Sequence, residues 1–127
     1  MTSTSASASA QAPLPASILS QGPNLIVSIH TALNDEQLIR LQQDLLKRVG
    51  RQRSRGILID VAAVDVLDSF AAKTLTNLAY MARLRGAQTV VVGIAPEVAM
   101  ALVQLAVQMP LVRTALDLEE GLQCLSA

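Results

Sequence analysis

Three carboxylates, Asp60, Asp65 and Asp68, follow one another closely after the apolar run Gly56 to Asp60 (GILID). Acids at the carboxyl edge of a parallel sheet stand where open α/β folds bind ligands. Their chemistry would be that of a divalent-cation site or a phospho-acceptor aspartate. A response-regulator receiver has similar size and alternation, but it needs paired acids after its first parallel strand and a lysine after its last. Here those places hold His30-Thr31-Ala32-Leu33 and Leu116-Asp117. A small-ligand or metal-binding domain using the acidic edge is thus one reading, and capping or solvated acids are the other. His30 is the single histidine and Cys124 the single cysteine, which excludes a histidine cluster, an internal disulfide and a cysteine-rich zinc site. No serine or cysteine partner is signalled near His30, which reads as a partly exposed structural residue. Cys124 reads as a small apolar group. Gly93-Ile94-Ala95-Pro96 has one glycine where a dinucleotide fold needs three, and no Walker lysine exists. No catalytic constellation can be assembled, so the chain reads as a non-enzyme with no cofactor and no metal.

Ser69 is the remaining candidate. It stands where a loop becomes a helix, so its hydroxyl can cap the unsatisfied N–H groups of the first turn. The same place suits a phosphoserine, because backbone donors and the positive helix end favour an anion of about −1.5 to −2 charge. Local physics permits both readings.

The elements that position these residues follow from periodicity. Ile18-Leu19 and Leu25 to Ile29 read as a hairpin around Gln21-Gly22-Pro23-Asn24. Asn34 caps a helix with Gln37 reaching back; Leu38, Leu41, Leu45 and Val49 form its apolar face and Gly50 its stop. Arg51 to Arg55 reads as a solvated loop. Gly56 to Asp60 is a central strand, and a helix from Ser69 to about Arg85 buries Ala71, Leu75, Leu78, Ala79 and Ala82. Lys73, Thr76, Asn77 and Tyr80 then form an outward strip beginning at Ser69, with Tyr80 as the anchor for a partner. Gln88 to Gly93 is a second buried strand. Pro96 opens a helix to Met109 with Val98, Leu102, Leu105 and Ala106 inside. Val112 to Ala115 is a short edge strand, and Asp117 starts a last helix with Leu118, Leu122 and Leu125 on one face. The alternation predicts an α/β sandwich of about five mixed strands and four helices.

The chain has 127 residues, enough for one domain. Residues 1–13, almost wholly Ser, Thr, Ala and Pro, read as a disordered tail, and residues 14–127 as the domain. That tail lacks the basic start and apolar stretch of a secretory signal, and no apolar run approaches the length of a membrane span. Ten basic and ten acidic side chains give zero formal charge, and Phe70 and Tyr80 are the only aromatics. Neither a basic field nor a stacking platform is available, which argues against nucleic acid.

Gly56 to Asp60, Val66 to Phe70 (VLDSF), Gln88 to Pro96 (QTVVVGIAP) and Leu111 to Leu118 (LVRTALDL) together resemble the STAS domain, the anti-sigma-factor antagonist family, and most closely its stressosome antagonists. The resemblance covers nearly everything outside the tail. It implies a cytoplasmic phosphoprotein whose Ser69, beside Asp68 and Phe70, is phosphorylated by a serine/threonine switch kinase and restored by a PP2C-type phosphatase. It further implies a homo- or hetero-oligomeric assembly with STAS paralogues that carry sensor domains, holding the kinase until Ser69 is modified. A direct antagonist of an anti-sigma kinase would share Ser69 and differ in its partner. The long Ser/Thr/Ala tail departs from the compact family pattern.

Overall fold

The computed structural model describes residues 13–126, so the expected tail lies outside the described residues apart from Pro13. Five strands form one sheet in sequence order: β1 (Ala16–Gln21), β2 (Asn24–Ile29), β3 (Gly56–Asp60), β4 (Gln88–Val92) and β5 (Val112–Ala115). β1 pairs antiparallel with β2, because Gly22, at φ 57°, and Pro23 turn the chain in two residues. The other pairs are parallel. Each therefore needs a crossover, supplied by α1 (Asp35–Gln52), α2 (Ser69–Leu84) and α3 (Pro96–Gln104). α4 (Leu118–Ser126) follows β5. Every helix leaves the carboxyl end of a parallel strand and runs back, so all helix N-termini gather at one end of the domain.

The strand period of two sorts the core into two layers. Leu25, Val27, Ile57, Ile59 and Val91 meet Leu41, Leu45, Leu75, Leu78, Val98 and Leu102 from α1 to α3. Ile26, Leu58, Val90 and Val92 meet Leu122, Cys124 and Leu125 of α4 on the other face. Full burial of each such side chain stabilises the fold by about 1.5–3 kcal/mol. α4 reaches the sheet through Gly121, where a Cβ would lie 2.6 Å from Val92 Cγ1 and 2.7 Å from Leu58 Cδ1.

The capping box at Asn34 and Gln37 forms as expected, with both bonds present. Three helix readings need correction. α1 does not stop at Gly50: it continues to Gln52 and is reversed by Arg53, at φ 52°, so Arg51 and Gln52 are helical and Ser54 is buried. Gly50 instead lies beneath Arg85, whose Nη2 would be 2.6 Å from a Cβ there. α3 ends at Gln104, five residues early. Ala106 adopts φ 55°, its N–H bonds Val103 O at 3.0 Å and the Val107 N–H bonds Leu102 O at 3.0 Å. This is a Schellman reversal with alanine where glycine is usual. It leaves Leu105 and Ala106 exposed and turns Val107 into the core. In α4, Leu118 is exposed while Leu122 and Leu125 pack, since the contact face is centred on Gly121.

Candidate functional site

The loop from β3 to α2 is built to present its tip. The Asp60 carboxylate accepts the Ala62 N–H at 2.9 Å, and the Val61 N–H bonds Val92 O at 3.0 Å. Val61, Val64 and Leu67 are buried and anchor the loop, whereas Asp65 and Val66 are exposed. Asp68 has extended backbone, and its Oδ1 accepts the Ala71 N–H at 2.8 Å. Asp68, and not Ser69, is therefore the N-cap. The extended backbone at Asp68 sets the cap there, and the carboxylate adds favourable charge at the positive helix end. Ser69 becomes the first helical residue and is exposed.

Two apolar side chains flank it. Val66 is 60% exposed and Phe70 38%. Down α2, Lys73, Asn77 and Tyr80 are exposed as the outward strip requires. Thr76 is not part of it: it is buried, and its hydroxyl donates to Ala72 O at 2.9 Å. The strip runs through Phe70, Lys73, Asn77, Tyr80 and Leu84, in alternating steps of three and four. Leu84 and Val66 were missed by sequence reasoning. Nothing in an apolar side chain at helical spacing marks it as outward until the sheet fixes the helix's rotation.

Beneath the loop lies an apolar cavity of about 60 Å³, lined by Ile29, Leu33, Leu38, Val64, Leu67 and Leu75 among others. Ligand pockets are typically about 300–1,000 Å³. The cavity beneath this loop is well below that size. Two of its three carboxylates hold backbone N–H groups, and among the described residues no group of three or more histidine, cysteine or acidic side chains could hold a metal ion. His30 does have a serine neighbour, contrary to expectation. The pairing of β1 with β2 brings Ser17 Oγ to 3.0 Å from His30 Nε2, at an exposed strand end outside any pocket described above.

Residues 16–121 match the STAS domain family. The chain belongs to the STAS domain family. Over 91 residues this STAS domain is 33% identical to the RsbT co-antagonist protein RsbRA of Bacillus subtilis, covering 72% of the chain. It spans about a third of that curated relative's length. A serine-to-glutamate variant of RsbS from Moorella thermoacetica is 30% identical, with a TM-score of 0.73, over 87% of this chain and 93% of that one. A chain from the molecular architecture of the stressosome, a signal integration and transduction hub, is 28% identical with a TM-score of 0.68, over 87% and 96%. The proteins this domain resembles thus include RsbRA, RsbS and a chain of the stressosome. Among the described residues no helix is long and apolar enough to cross a membrane.

Proposed function

We propose that this STAS domain is a non-enzymatic, phospho-switched regulator of a stressosome-type partner switch. It holds a serine/threonine kinase until Ser69 is phosphorylated, works in the cytoplasm beside STAS paralogues with sensor domains, and is reset by a PP2C-type phosphatase. The observation that carries this reading is the division of labour between Asp68 and Ser69. The aspartate takes over capping, which leaves an exposed hydroxyl between Val66 and Phe70 at the head of the α2 strip. A serine that capped its own helix would have to give up that bond to be modified.

The physical consequence of modification is local. A phosphate on Ser69 would meet the first-turn N–H groups of α2, which have no helical carbonyl to bond, so the fold tolerates it. Lys73, one turn on, is an exposed neighbour of little energetic weight. A partner surface fitted to a neutral serine beside Asp65 and Asp68 would instead face a dianion next to two carboxylates. Like-charge contact and uncompensated desolvation favour release. The test is kinase pull-down with two variants. Ser69→Ala should fold, bind and resist ATP-driven release; Ser69→Asp should fold and bind weakly. Equal retention by the two would overturn the switch. Recovery of an anti-sigma kinase, with no sensor-bearing paralogue, would establish direct antagonism.

A further inference from the structure

The net charge is zero, but the fold separates the charges. Lys47, Arg48, Arg51, Arg53 and Arg55 occupy the last turns of α1 and the link to β3, and Arg83 and Arg85 close α2. Seven of the ten basic side chains thus stand at the end of the domain where the helices finish. At the opposite end, Asp35 and Glu36 open α1, Asp60, Asp65 and Asp68 line the β3–α2 loop, Glu97 opens α3, and Asp117 and Glu120 open α4. Helix dipoles favour this partition in each helix singly, and parallel crossovers add the four contributions along one axis.

Shape follows charge. Between the finishing ends of α1 and α2 is an open groove of about 660 Å³, lined by Asp44, Leu46, Lys47, Gly50, Arg51 and Arg85. Lys47, Arg51 and Arg85 are exposed at its margin, and Gly50 and Leu46 are half-buried within it. The absence of a side chain at Gly50 is what lets the Arg85 guanidinium lie across α1. The acidic end carries the matching projection: the segment Asp65 to Phe70, with two exposed carboxylates and the exposed apolar groups of Val66 and Phe70 between and beside them.

We propose that the groove between α1 and α2 receives the Asp65–Phe70 projection of a second copy of this chain, so that copies join head to tail. Asp65 and Asp68 of the incoming copy meet Lys47, Arg51 and Arg85, and Val66 covers Leu46. Such an interface is heterologous, leaving a free groove at one end and a free projection at the other, so it extends instead of closing at a dimer. Zero net charge removes the overall repulsion that would oppose it. The projection carries Ser69, so a seated copy covers that serine and competes with kinase docking at this end; sedimentation without kinase or ATP reads the joining of copies by itself.

The experiment is sedimentation velocity on the full chain and on two folded variants, each verified by circular dichroism. Arg51→Glu/Arg85→Glu spoils the groove and keeps the projection; Asp65→Lys/Val66→Ser does the reverse and leaves the Asp68 cap untouched. The unmodified protein should form concentration-dependent oligomers at 0.1 M salt that dissociate at 1 M, as the screening length falls from about 10 Å to about 3 Å. Each variant alone should be monomeric. An equimolar mixture should form dimers and nothing larger, because one intact groove and one intact projection remain. A monomeric unmodified protein, a dimer indifferent to both variants, or a mixture that stays monomeric would each overturn the proposal. So would a chain that stays monomeric while its basic end binds heparin. If a variant fails to fold, the salt dependence of the unmodified protein still decides.

Discussion

Replacing Asp68 and Ser69 separately by alanine measures which of them holds the start of α2. Asp68 Oδ1 accepts the Ala71 N–H at 2.8 Å, and removing an aspartate N-cap costs about 0.5–2 kcal/mol, centred near 1. The loss of a carboxylate at the positive helix end falls in the same range and is partly counted in that figure. Ser69 is exposed and does not cap, so Ser69→Ala should stay within about 0.5 kcal/mol of the parent. For a domain of this size 1 kcal/mol moves Tm by roughly 3–6 °C. Asp68→Ala should therefore lower Tm by roughly 3–6 °C and Ser69→Ala by about 3 °C at most, in calorimetry or a circular-dichroism melt. Asp68→Asn, which keeps an acceptor, should fall between them. If Ser69→Ala costs as much as Asp68→Ala, the serine hydroxyl is engaged in the cap and is not free for modification.

Three further outcomes follow from particular residues. Thr89 is 2% exposed and its hydroxyl has no hydrogen-bond partner among the described residues, so Thr89→Val should stabilise the domain by about 1 kcal/mol in urea unfolding. Ala106 holds φ 55° at the end of α3, where a Cβ costs about 1–2 kcal/mol and glycine's extra chain entropy about 0.5–1, so Ala106→Gly should gain roughly 0.5–1 kcal/mol in the same assay. Tyr80, 49% exposed on the α2 strip, should be dispensable for folding, with Tyr80→Ala leaving Tm within about 2 °C. Kinase affinity measured by calorimetric titration should nonetheless fall at least about tenfold if the strip is the docking face.

Much of the fold was legible because periodicity and capping agreed. Leu38, Leu41, Leu45 and Val49 are all buried, and Asn34 with Gln37 caps α1 as their spacing requires. The continuous apolar runs at Ile57 to Ile59 and Val90 to Val92 are strands covered on both faces. Helix ends were less legible. A left-handed residue is usually glycine, and here Arg53 and Ala106 take that conformation under hydrogen bonds that no local pattern announces. Thr76 misled for a related reason. Its polarity put it outside, yet a threonine can satisfy its hydroxyl on the carbonyl four residues back and bury its methyl. At the site itself the Asp-Ser pair was visible, but the roles within it were not. Serine and aspartate are both good caps, and only the backbone at Asp68 decides between them. The polarity of the domain was hidden entirely in a net charge of zero, since it comes from the common direction of four helices.

The central claim is that Ser69 is the residue whose modification controls partner binding. The most direct measurement is phosphosite mapping by mass spectrometry after incubating the full chain with ATP and the kinase it retains in pull-down, with Ser69→Ala in parallel. A single phosphate on the peptide containing Ser69, none on the alanine variant, and loss of kinase co-elution in step with its appearance are expected. Phosphate on another residue, or full phosphorylation of Ser69 with the kinase still bound, would contradict it.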